Sequence, residues 1–163
     1  MNISILYYSN SGITKNMAEH IASGCNLVPN TFAKTMAIHE IDYDFLDNSS
    51  CVIIGTPTYY ASMASKMKQW LDEDSGKCKL QGKLGGAFAT AGYIHGGGDL
   101  AIQGILTHML FQGMVIYSGG GTCGEPPIHL GPVAISNSPE SYQALFETYG
   151  KRMAQQAQNL FCK

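Results

Sequence analysis

Ser9-Asn10-Ser11-Gly12-Ile13-Thr14 gathers three hydroxyls, an amide and a glycine just ahead of an amphipathic stretch. If that stretch is a helix, its first turn offers unpartnered N–H groups and the positive end of the aligned peptide dipoles. A phosphate is the natural guest of such a turn. Ser9, Ser11 and Thr14 can donate further hydrogen bonds, and Gly12 lets the backbone come close. Lys15 is the only full charge nearby, so a phosphate here would rest on neutral donors. The plainer alternative is an N-capped helix whose serines satisfy only their own backbone.

Two later loops suit a flat ring. Pro57-Thr58-Tyr59-Tyr60-Ala61-Ser62-Met63 holds a stiffening proline and two adjacent aromatic rings, and an offset aromatic contact adds about 0.5–1.5 kcal/mol beyond burial. Taken alone it is also an ordinary proline turn with half-buried tyrosines. Thr90-Ala91-Gly92-Tyr93-Ile94-His95-Gly96-Gly97-Gly98 exposes main-chain N–H and C=O groups between small side chains. That suits the hydrogen-bonding pyrimidine edge of a flavin, where charge accumulates on reduction. His95 is the candidate catalytic residue, placed to hydrogen-bond a substrate oxygen, although a lone histidine is more often structural. A fourth loop, residues 118–138, is long, rich in Gly and Pro, and carries His129; it would serve as a lid or a subunit contact.

These loops need strands and helices to hold them, and the chain supplies both in alternation. Ile3-Ser4-Ile5-Leu6-Tyr7 and Cys51-Val52-Ile53-Ile54-Gly55 read as buried strands. Residues 30–36, 84–89 and 114–117 read as three more. A helix from about Ile13 puts Ile13, Met17 and Ile21 on one face and ends near Ser23-Gly24, where glycine tolerates a left-handed cap. Met63, Met67, Trp70 and Leu71 mark a second helix, residues 99–112 a third, and a last one from Pro139 buries Tyr142, Leu145, Phe146, Tyr149, Met153 and Leu160. Such alternation predicts one α/β domain over residues 1–163, a doubly wound five-stranded parallel sheet of order 2-1-3-4-5 with helices on both faces. Ligands then bind beyond the carboxyl ends of the strands, where the four loops lie.

Composition removes several rival classes. The formal charge is −2 and charged residues are 13% of the chain, about half the ~25% usual for such domains. Arg152 is the only arginine, so no basic stripe exists for nucleic acid. No run is long and apolar enough for a membrane span and no leader opens the chain, which points to the cytoplasm. Five widely spaced cysteines without a Cys-x-x-Cys pair form neither a disulfide framework nor a metal site. Gly119, Gly121 and Gly124 imitate a dinucleotide fingerprint but lead into Pro126-Pro127 instead of a helix, and Gly76-Lys77 runs into Cys78, not into a P-loop hydroxyl. Aspartates expected of a receiver domain after the first and third strands are replaced by Tyr7-Tyr8-Ser9 and Gly55-Thr56-Pro57.

With the three ring and phosphate loops in this order, the chain resembles the flavodoxin-like superfamily over nearly its whole length. It looks closest to the WrbA-type NAD(P)H:quinone oxidoreductases, through Pro57-Thr58-Tyr59-Tyr60-Ala61-Ser62-Met63-Ala64, the run from Gly82-Lys83 to Gly113-Met114-Val115-Ile116, and His95-Gly96-Gly97. The resemblance implies FMN with its phosphate at residues 9–14 and its ring between the loops at 57–63 and 90–97. It implies NAD(P)H as electron donor, a quinone-like small molecule as acceptor and a homodimer or tetramer. Departures are Tyr59 where that family usually has arginine, Ala61 where it has glycine, and Phe111-Gln112 where it often has a histidine pair. The alternatives are a flavodoxin-type one-electron carrier that docks on a redox partner protein, and a scaffold that has lost its cofactor.

Overall fold

The computed structural model describes residues 1–162. Five parallel strands occupy the centre: β1 (Asn2–Tyr7), β2 (Phe32–Ala37), β3 (Cys51–Tyr59), β5 (Leu84–Ala91) and β6 (Val115–Ile116), with β4 (Ser62–Met63) lying between β3 and β5 in the chain. Their order is β2-β1-β3-β5-β6, the expected crossover pattern. Two short strands exceed the expected five. β4 folds back antiparallel on β3, and β7 (Val133–Ile135) pairs in parallel with the carboxyl end of β5. β5 is thus flanked along one edge by β6 near its start and by β7 near its end. The segment expected at residues 114–117 is therefore half of an interrupted strand.

Helices α1 (Ile13–Asn26), α2 (Tyr43–Asp47), α3 (Ser65–Glu73), α4 (Gly98–Phe111) and α5 (Gln143–Phe161) cover the sheet. Strand alternation sorts side chains between two cores. Ile3 and Ile5 of β1 meet Met17, Ile21, Phe146 and Met153 on the α1/α5 side. Leu6 joins Ile54, Met67, Trp70, Ile102 and Ile105 on the α3/α4 side. On α5 the buried face comprises Phe146, Tyr149, Gly150, Met153, Ala154 and Ala157, while Leu160 faces solvent.

Helix α1 does not end at Gly24. It runs to Asn26, and Gly24 is buried where α5 crosses it; a Cβ there would fall 1.9 Å from the Glu147 carbonyl oxygen. The glycine serves a close helix approach instead of a left-handed turn. The acidic stretch before β3 contains a helix unmarked by periodicity, α2, whose start is capped by Asp42 accepting from the Phe45 N–H at 3.0 Å. No helix among the described residues is long and apolar enough to cross a membrane.

The fourth loop divides into a pinned segment and a strand. The Arg152 guanidinium on α5 donates to the carbonyls of Gly119, Gly124, Glu125 and Pro126 at 2.9–3.2 Å. The glycine-rich segment is thereby held against α5, and β7 returns to the sheet. Arg152→Ala is expected to cost about 1–2 kcal/mol, since charge-assisted bonds are lost but largely exposed carbonyls can turn to water. Limited proteolysis should then cut within residues 119–126 several-fold faster than in the parent; an unchanged rate would mean the segment is held by its own packing.

Candidate functional site

A cavity of about 490 Å³ opens beyond the carboxyl ends of β1, β3 and β5, within the range of small-ligand sites. All three expected loops meet there. Asn10, Ser11 and Thr14 come from the first, Pro57, Thr58, Tyr59, Tyr60 and Ala61 from the second, and Thr90, Gly92, Tyr93 and Gly96 from the third.

The first loop is a cradle with its helix end left open. Gly12 is the N-cap of α1 with φ +91°, and no side chain caps the helix. The first helical bond runs from the Asn16 N–H to the Gly12 carbonyl, so the preceding N–H groups of the turn face outward. Ser9 is spent locally: its Oγ accepts from the Gly12 N–H at 3.1 Å. Thr14 is buried, and its Oγ1 lies 2.8 Å from Thr90 Oγ1. One hydroxyl of that pair donates to the other, and the acceptor keeps its own proton to offer a ligand. The bond ties the phosphate loop to the end of β5. Ile13 is half-buried and does not line the cavity.

The second loop is a hairpin, not a proline turn. β3 continues through Pro57 to Tyr59, and Thr58 and Tyr59 pair with Met63 and Ser62 of β4. Tyr60 and Ala61 form the two-residue tip with φ of 49° and 59°, the geometry in which Asn-Gly is favoured. Two L-residues there hold a strained conformation. Thr56 braces the hairpin from below, accepting from the Ala64 N–H at 3.0 Å and donating to the Pro57 carbonyl at 2.9 Å. Ser62 and Met63 face away from the cavity into an adjoining groove of about 840 Å³, which also touches Tyr59, Tyr60, Leu100 and Gly104.

The third loop splits likewise. Ala91 lies within β5 and is buried, its carbonyl accepting from the Ser136 N–H and Oγ at 2.8 and 3.1 Å. Gly97 begins α4 with φ +87°, and a Cβ on it would fall 2.5 Å from Ala61 Cα, so the third loop is pressed against the hairpin tip. His95 is exposed and lies outside the cavity, in a depression shared with Ile94, Asp99 and Leu100. Ser136, just after β7, lines the cavity and was missed by sequence reasoning; its signal is only the three apolar residues before it.

The fit to FMN can be tested on these atoms. Thr58 lines the cavity, while its Oγ1 is shut off from solvent and has no partner among the described residues. A buried hydroxyl left so costs free energy unless a ligand satisfies it. The uncapped turn of α1 suits a phosphate, Tyr59, Tyr60 and Tyr93 rim a space for a flat ring, and no lysine or arginine among the described residues lines the cavity. The residues present fit the group.

Fold and site together define a flavodoxin-like, FMN-binding protein. The family model for NADPH-dependent FMN reductase matches residues 43–122. A flavodoxin from Clostridium saccharobutylicum is 43% identical over 161 residues, spanning 99% of this chain and 100% of its own. An NAD(P)H dehydrogenase (quinone) from Rhodopseudomonas palustris strain BisA53 is 34% identical over 136 residues, spanning 70% of this chain and 68% of its own. The crystal structure of the flavodoxin, WrbA-like protein from Agrobacterium tumefaciens superposes with a TM-score of 0.82 at 24% identity, covering 98% of each chain. The chain belongs to the flavodoxin-like family, and the WrbA-type assignment made from its loops agrees with these relatives.

Proposed function

We propose that this protein is an FMN-dependent NAD(P)H oxidoreductase that reduces quinones or similar flat acceptors. In the net reaction NAD(P)H, a proton and a quinone give NAD(P)⁺ and the quinol. FMN, when bound, supplies the relay that accepts the hydride equivalent from one substrate and passes it to the other. The observation that carries this reading is the groove of about 840 Å³ that shares Tyr59 and Tyr60 with the cavity. A protein that only stores an electron needs no second apolar recess at its flavin.

The chain's own residues divide the work. Residues 10–14 hold the phosphate through the open turn of α1, main-chain groups of residues 90–96 meet the ring's polar edge, and the hairpin tip flanks the ring with aromatic surface. Tyr60 is fully exposed and is the surface on which a flat acceptor stacks. His95, outside the cavity, serves an acceptor oxygen and not the flavin. Exposed Leu110, Phe111 and Val115, on a chain with few charges, support assembly into a dimer or tetramer, which sedimentation would measure.

A second reading has its own support, because the relative at 43% identity over the full chain is named a flavodoxin. One-electron carriage to a redox partner protein is therefore the alternative. Visible absorption of the purified, FMN-loaded protein separates the two. Flavin bands that bleach promptly with anaerobic NAD(P)H establish a reductase. Bands that persist with NAD(P)H and respond to dithionite establish a carrier. Protein that refuses FMN removes both readings.

A further inference from the structure

The shape of the groove beside the cavity bears on which acceptors the site takes, an inference that rests on the reductase reading. Hairpin and helix α4 run side by side there. A Cβ on Gly97 would fall against Ala61, and one on Gly104 would fall 2.7 Å from Met63 Cε. From the hairpin tip the groove therefore follows α4 for about two turns, roughly 10 Å. Leu100, Gly104 and Thr107 share the helix face that lines it.

Gly104 lies in the interior of α4, where glycine destabilises a helix relative to alanine. Its backbone does not call for glycine, since its φ is not left-handed. Nor does a helix crossing. At Gly24 and Gly150 an added Cβ would strike backbone carbonyl oxygens at 1.9 and 2.1 Å. At Gly104 the one atom within 4 Å, outside the helix's own backbone, is the end of the Met63 side chain, which is flexible and can swing aside. An alanine would fit here and strengthen the helix. What it would take away is room in the groove, which Gly104 lines while only half-buried.

We propose that Gly104 is the specificity-determining residue for the acceptor: its missing side chain leaves the channel in which a hydrocarbon chain on the quinone lies. The quinone ring stays at Tyr60, where the groove meets the cavity. Three observations select a chain as the occupant. A groove of about 840 Å³ is far larger than one flat ring requires. Its wall beyond the tyrosines is apolar, formed by Met63, Leu100 and the bare backbone of Gly104. The polar residues that also line it, Lys68, Gln103 and Thr107, are exposed and keep their polar groups in water.

The test compares a benzoquinone with the derivative that carries a decyl chain on the same ring, using the FMN-loaded protein. In kcat/KM the parent is expected to favour the decyl derivative at least tenfold. Gly104→Ala is expected to cut that preference to threefold or less, and Gly104→Leu to abolish it, with the Kd for FMN within twofold of the parent throughout. Calorimetric titration of the oxidised protein, in which nothing turns over, should show the same loss of affinity for the decyl derivative. Gly104→Ala should also raise the apoprotein Tm by about 2–4 °C, as expected when a helix loses an interior glycine. A Tm that falls would mean that packing requires the glycine, and overturns the assignment. So do a parent that treats the two quinones alike, and variants that keep the parent's preference or lose both quinones equally; in each of these cases the reductase reading stands. A parent that turns over neither quinone overturns the reductase reading and the assignment with it.

Discussion

Gly97→Ala is expected to weaken FMN binding at least 30-fold while the protein stays folded. Two costs coincide at this residue. Its φ of +87° is a left-handed conformation, which charges an L-residue about 1–2 kcal/mol. An added Cβ would also lie 2.5 Å from Ala61 Cα and 2.6 Å from Ala61 Cβ, well inside the ~3.5–4.0 Å at which carbon atoms pack. Ala61 cannot yield freely, because it sits at a hairpin tip whose own φ is already left-handed. The hairpin must move as a unit, carrying Thr58, Tyr59 and Tyr60 away from the cavity. Relief of that kind spends affinity and not global stability, since β3 and β5 remain paired below the tip over seven registered positions. Quenching of FMN fluorescence on titration gives Kd, and circular dichroism of the apoprotein checks the fold. An alanine variant that binds FMN like the parent would show that the contact between the third loop and the hairpin tip does not shape the site.

That contact also marks the boundary of what the sequence could disclose. The sheet was legible because parallel strands buried on both faces read as largely apolar runs, as in residues 3–7 and 51–55, and because Met17 and Ile21 repeat at helical spacing. The site was legible because polar and small residues cluster at the strand–helix junctions of such a fold. What failed was long-range or very short. Pro57 argued for a turn, yet it stands near the end of β3, where the chain can continue extended before folding back. β7 has three residues, too few to show alternation, and its place is set by β5 far earlier in the chain. α2 is a five-residue helix whose only local sign is the Asp42 cap. Within the cradle, composition showed three hydroxyls but could not show that Ser9 is consumed by the Gly12 N–H or that Thr14 pairs with Thr90, 76 residues away. Nor could it show that His95 sits in the depression beside Asp99 instead of in the cavity.

The pairing of Thr14 with Thr90 sharpens what removal of the cradle hydroxyls should do. Ser11→Ala with Thr14→Ala is expected to weaken FMN binding by about 3 kcal/mol, roughly 100-fold, taking ~1–3 kcal/mol for each buried partner left unsatisfied. The two changes act differently. Ser11 is exposed at the cavity wall, so Ser11→Ala alone removes a donor to the phosphate and should leave the melting temperature of the apoprotein unchanged. Thr14 is 2% exposed, and its loss strands Thr90 Oγ1 in a buried position, which should lower both affinity and apoprotein Tm. Thr14→Ser keeps the hydroxyl and should restore most of the affinity, a rescue that simple loss of packing would not show. Riboflavin supplies the remaining control: lacking the phosphate, it should bind the parent and the double variant with similar affinity. If the double variant instead loses riboflavin as strongly as FMN, these hydroxyls organise the cavity as a whole. If it loses neither, the phosphate is held elsewhere and the open turn of α1 is not its cradle.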